Sequence, residues 1–512
     1  MSSNVATPGA RDEAVTHAPG VRIVVLVFVL VFISVVVRTA WVADDAYVDL
    51  RTAVNAASGL GLRWNVDERV QTFTDPAWVL LLSAISLVWH DPYLVLLCLT
   101  SVLSIGAVVW LATQLAADSA AALLGLSVLT FSKAFVEYAT SGLQVPLVYL
   151  LVVAFWVTYW RTSDGRPRAA MLFTIAAVCL LTDAMSVLLL APAAGLLLRR
   201  AERGLIALLP GAAIVAGWTL FATLYFGSPV PTPVVAAWHA DWPLGARAGQ
   251  GWVYLLDAAD RDPLAVVTIA CGMAGLFVRR FAPVRALAAG LLLYCAAVVL
   301  GGGDWLSGRA LAPAVLAATI LLMRLPWNSL GPAGPVIVAL VWGLGLVSPF
   351  SPVRSDAHYG RGRSEPLPPP WPGIASAVSA QRAAIRDERW LTYPESGLLT
   401  ARRNVPLPDT RDMEQEVEQI LAQRRHVVVT DRIGLFAFVS GTRLHVVDPL
   451  GRTDPLLARL PPLTCCAPRG TARAIPDGYV ETLETGRDVI VDSRIAEMYR
   501  RLAARSKRAL VQ

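Results

Sequence analysis

Between Val21 and Ser348 the chain alternates apolar runs with short loops that carry arginine, and this alternation leaves few folds open. About 20 consecutive apolar residues span the hydrocarbon of a bilayer, and inside it only a helix or a closed barrel satisfies the backbone. Hydrophobic residues make up 55% of the chain and charged ones 16%, and the mean hydropathy is +0.55, too apolar for an ordinary soluble globule. The sequence predicts an α-helical polytopic membrane protein.

The arginine loops set its orientation. Arg11 and Arg22 precede the first run, Val21 to Ala43, which lacks a cleavage pattern and reads as a retained first helix with a cytoplasmic tail over 1–20. Arg161, Arg166 and Arg168, then Arg199, Arg200 and Arg203, then Arg279, Arg280 and Arg285, and finally Arg324 all belong inside by the positive-inside rule. That holds only if Ala77 to Trp89, about two-thirds of a span, lies in the interface. The predicted crossings are then 21–43, 93–115, 119–135, 145–160, 169–181, 184–198, 204–226, 264–278, 286–300, 310–323 and 336–348, about eleven in number. Residues 21–348 form the membrane domain, with an outer loop over 44–92.

The charge balance, 44 Lys+Arg against 38 Asp+Glu, would suggest nucleic acid only if the basic residues shared one soluble face. They are spread through loops between apolar runs, so nucleic acid is excluded as a partner. Four cysteines, Cys98, Cys179, Cys271 and Cys295, lie in apolar runs as small hydrophobes. Cys465 and Cys466 are neighbours, an awkward geometry for a mutual disulfide, and no Cys/His spacing suggests a metal. Walker and dinucleotide-binding glycine loops are also missing.

The acidic residues gather on the outer side. Asp44 and Asp45 stand together where the first helix ends. In a helix neighbours point about 100° apart, so one is expected to be chemical and the other structural. Asp183 interrupts an apolar stretch bounded by arginines, and two short crossings would draw this tip below the outer surface. A carboxylate there either marks a functional site or is the tip of a solvated hairpin turn. Past the membrane region, "SEPLPPPWPG" predicts an extended linker within 349–375. The remainder, 376–512, contains a strand, short helix, strand pattern in "RHVVVTDRIGLFAFVSGTRLHVVDPLG", which predicts a small extracytoplasmic α/β domain.

Six stretches occur in order: "DDAYVDLRTAVNAASGLGLRWN", "VQTFTDPAW", "SGLQVPLVYLL", "YFGSPVPTPV", "GGGDWLSGRALAP", and "RLHVVDPLGRTDPLLARLPP" followed by "IPDGYVETL". With the membrane layout, this series resembles the GT-C superfamily of polyprenyl-phosphate-dependent glycosyltransferases over nearly the whole chain. Within it the likeness is to the terminal β-(1→2) arabinofuranosyltransferase family of mycobacteria and corynebacteria. The resemblance implies a multi-pass enzyme of the bacterial plasma membrane. Its partners would be a decaprenyl-phosphate arabinofuranose donor, a cell-wall arabinan acceptor and the surrounding membrane lipid.

On the same ground Asp44 or Asp45 would be the catalytic carboxylate. Asp304, Trp305 and Arg309 of "GGGDWLSGR" would join Asp183, Gln144 and Thr232 in binding the donor. Arg309 suits this part because a guanidinium offers a forked cation to phosphate, although an arginine at a helix start also snorkels. No cofactor is firmly implied, and a divalent metal is left open. The chain departs from the family pattern in having Gln144 in place of Glu, Pro231-Thr232-Pro233 in place of a Pro-Asn-Thr run, and Thr471 in place of His. These departures leave open transfer of another sugar, such as mannose, or a catalytically silent glycan-binding paralogue. A transporter fits less well, because the acids gather on one face and no internal repeat is present.

The layout predicts opposite labelling at two introduced cysteines. In intact cells Gly165→Cys should resist an impermeant maleimide and Ser364→Cys should react; the reverse pattern contradicts the orientation.

Overall fold

The computed structural model describes residues 19–161, 168–200, 204–278, 281–325, 327, 333–348, 350–357, 379–398 and 408–507. Most of the N-terminal tail, Arg166, Arg203, Arg279, Arg280, residues 358–375 of the Pro-rich linker, and positions 165 and 364 lie outside them. The fold is mostly helical, with 22 α-helices and one pair of short strands among the described residues.

Three helices are long and apolar enough to cross a membrane: Pro92–Gln114, Leu205–Phe226 and Ala282–Gly301. The first expected crossing falls on Pro19–Thr39, 21 residues, and six others fall on shorter apolar helices of 10–17 residues, while 184–198 is broken between a 3₁₀ turn and a ten-residue helix. Ala333–Val347, for instance, has 15 residues, a rise of about 22 Å against roughly 30 Å of hydrocarbon. Local chemistry explains where they stop. Ser119–Phe131 begins where the Asp118 side chain accepts from the amide of Ala121 at 2.8 Å. It ends at Ser132, whose hydroxyl caps the next helix, Lys133–Tyr138, and donates to Asp262 at 2.7 Å. The hairpin around Asp183 enters a 3₁₀ turn, Ser186–Leu189, before Ala191–Arg200 resumes. The half-length segment is Pro76–Ser86, 11 residues, and it packs against Ala46–Ala57 and Ala169–Thr182.

A buried ionic network ties the segment 379–396 to the helices. Lys133 Nζ meets Glu137 at 2.5 Å and Asp387 at 3.1 Å, while Arg261 meets Asp387 at 3.1 Å and Asp257 at 3.0 Å. Arg389 reaches Glu137 at 3.7 Å. Three cations thus face three carboxylates, and mutual neutralisation is what makes burying them tolerable. Backbone pairing reinforces the attachment: the amide of Arg386 donates to Trp305 at 2.7 Å, and that of Ser307 donates to Arg386 at 3.0 Å.

Further along, Val427–Val429 and His445–Val447 pair in parallel and are joined through the helix Leu435–Ser440. This unit sits on the outer loop. Arg51 donates to the carbonyls of Ala437 at 2.7 Å and Leu444 at 3.2 Å, and Asn65 exchanges bonds of 3.1 Å with Val446. Cys465 and Cys466 are joined in a disulfide, contrary to the sequence expectation. The backbone accommodates the bond with a positive φ, 81°, at Cys466.

Candidate functional site

Past the first helix, Pro19–Thr39, the chain follows a fixed path. The Trp41 indole donates to the Glu137 carbonyl at 2.9 Å, and the Ala43 amide donates to Ser141 at 2.8 Å. The chain then turns into the helix Ala46–Ala57. Residues one turn apart share a helix face, so Asp45 and Asp49 point one way and Tyr47 the other. Tyr47 packs against Phe438, with ring centroids 5.5 Å apart.

Asp45 and Asp49 line a cavity of about 420 Å³, a size suited to a sugar with a charged group attached. Of the residues singled out in the sequence, Asp45, Gln144, Asp183, Asp304, Trp305 and Arg309 line it together. Asp44 and Thr232 do not.

Asp44 is turned into a joint between segments. Its carboxylate accepts from the amide of Leu435 at 2.8 Å, and its own amide donates to Glu388 at 2.6 Å. A Cβ on Gly434 would run into the backbone and carboxyl of Asp44, so this close approach requires glycine. Burial pushes the Glu388 carboxyl up to about 8, with Asp44 and Asp45 adding to the effect. Burial raises Asp44 as well, opposed by the Leu435 amide. The expected division between the two adjacent acids therefore has a geometric form: Asp45 faces the cavity, and Asp44 braces its roof. Thr232 lies one residue outside, its amide donating to Gln71 at 2.9 Å, while its neighbour Pro233 lines the cavity.

Arg309 anchors the opposite wall. Its Nε and NH2 grip both oxygens of Asp304, at 2.5 and 2.8 Å, and its NH1 reaches Asp45 at 3.3 Å. The loop that presents it is clamped by three tyrosines. Tyr138 donates to the Ser307 carbonyl at 3.0 Å, Tyr254 to Leu306 at 3.1 Å, and Tyr294 to Ala310 at 2.8 Å. Gly303, with φ +71°, lies so near the Tyr254 ring that a Cβ would overlap it. Asp183 caps its own turn through the Met185 amide at 3.1 Å and the Ser186 hydroxyl, and also lines the cavity. Asp183 is thus at a turn, as expected, but half-buried against the cavity rather than at a solvated tip.

Sequence reasoning missed several cavity residues. Asp49 lies one helical turn from Asp45, a spacing that could have pointed to it. Asp75 stands in the quoted "VQTFTDPAW". Burial pushes Asp75 up to about 7 and raises Asp49 well above the ordinary carboxylate range, with the neighbouring Asp75 adding to the effect on Asp49. Two further arginines reach the cavity from the C-terminal segment. Arg452 is held by Asp448 at 2.9 Å, and Arg469 lies over the Trp305 ring at 4.7 Å. The wall is accordingly acidic on the outer-loop side and guanidinium-rich at the roof, a combination suited to a ligand with hydroxyls and an anionic group. No cluster of three or more metal-ligating side chains occurs among the described residues.

No protein-family model, curated protein or solved structure matches the chain. The geometry alone carries the functional reading.

The raised carboxyls make stability depend on pH in a definite direction. Below its ordinary pKa of 4.5 Glu388 is protonated folded and unfolded, and its contribution is fully present. As pH rises from there toward about 8, the unfolded chain gives up the proton first, so folding loses stability. Asp75 acts alike between 3.8 and about 7. The melting midpoint of the purified protein should fall between pH 5 and 8, and Glu388→Gln, which keeps the acceptor for Asp44, should flatten that slope. An equal slope in parent and variant contradicts the assignment.

Proposed function

We propose that the protein is a membrane glycosyltransferase that moves arabinofuranose from decaprenyl phosphate to a cell-wall arabinan on the outer side of the bacterial plasma membrane. The reading includes the full set of about eleven crossings and an extracytoplasmic C-terminal domain. The observation that carries it is the convergence of six residues, from the segments around 45, 144, 183 and 304–309, on one cavity. Asp45, Gln144, Asp304, Trp305 and Arg309 belong to stretches that carry the sequence resemblance, and Asp183 interrupts an apolar run between them.

In this reading Asp45 takes the proton from an acceptor hydroxyl as that oxygen bonds to the sugar's anomeric carbon. The bond from that carbon to the phosphate oxygen breaks, and its electron pair leaves with the lipid phosphate. The guanidinium groups of Arg309, Arg452 and Arg469 stabilise the charge that develops there. The Asp49 and Asp75 pair, holding a proton, offers hydrogen bonds to sugar hydroxyls. One feature favours a second reading, a silent glycan-binding paralogue: the Arg309 fork is already engaged by Asp304.

Transfer from decaprenyl-phosphate arabinose to an arabinan oligosaccharide separates the two. Asp45→Asn is expected to lower kcat by about 10²- to 10⁴-fold with little change in KM, while Asp44→Asn keeps the acceptor for Leu435 and loses far less. Unchanged activity in Asp45→Asn removes it as the base. Donor binding without transfer by the parent protein favours the paralogue.

A further inference from the structure

Beside the main cavity, and separated from it by the segments 71–74 and 231–233, lies a second and smaller one of about 170 Å³. The guanidinium-bearing residues Arg69, Arg459 and Arg505 converge on it, with hydroxyl-bearing Ser228, Thr232 and Ser506, and no Asp or Glu is among its described lining residues. Arg459 donates to the carbonyl of Pro455 at 2.6 Å. Burial pulls its pKa down, and the nearby charge of Arg505 adds to this. Like charges held together at a partly buried place are unfavourable unless an anion joins them.

Its location restricts the source of that anion. The cavity abuts the end of Leu205–Phe226, a candidate membrane span of which only 11% is buried in the protein. Leu205, Leu209, Leu220 and Leu224 are each more than half exposed along it. Its last turns carry Trp218, Phe221, Tyr225 and Phe226 in mutual contact, an aromatic group of the kind found at headgroup depth. Arg69 stacks on Tyr225 at 4.8 Å. Gly227, with φ +71°, then turns the chain so closely against Arg505 that a Cβ would lie 3.0 Å from that residue's own.

We propose that this cavity binds the phosphate headgroup of an anionic membrane lipid, held by Arg459 and Arg505 at the outer end of the lipid-facing helix. Forked guanidinium groups match phosphate oxygens, and the enclosed volume admits a phosphate and its ester oxygens but not a nucleotide. The site is separate from the transfer cavity and does not depend on any sugar being moved.

Native mass spectrometry of the full chain in detergent tests this by binding alone. With phosphatidylglycerol the parent should retain one lipid, and phosphatidylcholine should be lost. Arg459→Gln and Arg505→Gln should each reduce retention by about tenfold, the loss expected for one charge-assisted contact. Arg505 is exposed on the terminal helix Ser493–Lys507, so its replacement leaves the fold intact and keeps the test informative should Arg459→Gln fold poorly. Inorganic phosphate should not displace the lipid; displacement would assign the site to free phosphate and overturn the lipid source. Equal retention of phosphatidylglycerol by parent and both variants, or equal retention of the two lipids, overturns the proposal.

Discussion

A guanidinium folded into a protein must meet negative charge before anything can be ordered around it, and Arg309 meets two carboxylates. Asp304 takes two of its prongs, and Asp45 receives the third. This contact joins residues 264 positions apart and fixes the first outer helix against the glycine-rich loop. Removing either acid would leave part of a buried charge uncompensated, a cost of several kcal/mol by order of magnitude. The tyrosines that clamp the loop, and the glycines that let it pass close to them, serve to hold Arg309 where Asp45 can reach it.

The roof of the cavity rests on a different set of charges. Lys133, Arg261 and Asp387 secure the segment after the membrane region deep among the helices, which brings the neighbouring Glu388 to the amide of Asp44. Asp44 in turn receives the Leu435 amide from the C-terminal segment, the same segment that supplies Arg452 and Arg469 to the cavity. The two adjacent acids at the end of the first helix therefore act on opposite partners. Asp45 belongs to the chamber and Asp44 to the joint that closes it.

Much of this was legible in the sequence, because the constraint is local in some places and not in others. The apolar runs announce a membrane protein, and Asp45 and Asp183 with "GGGDWLSGR" point to two walls of the cavity. The i, i+4 spacing of Asp45 and Asp49 was also open to reading. Span counting was less secure. A run such as 119–135 looks continuous by hydropathy, yet Ser132 finds Asp262 and divides it, and three described helices are long and apolar enough to cross on their own. Glu388 and Arg469 were beyond reach, since their places depend on a chain returning from more than 300 residues and 150 residues away, respectively, to Asp44 and Trp305. Thr232 shows the opposite difficulty: its motif reaches the site, but the cavity is lined by Pro233.

The central claim is that the chamber between Asp45 and Arg309 receives a sugar carried on a lipid phosphate. A cryo-electron microscopy structure of the full chain with a non-transferable polyprenyl-phosphonate analogue of the donor tests it most directly. The account predicts sugar density against Asp45 and Asp183, with the phosphonate on Arg309, Arg452 or Arg469. An unfilled chamber at saturating analogue, with the Asp45 and Arg309 pair undisturbed, would contradict it.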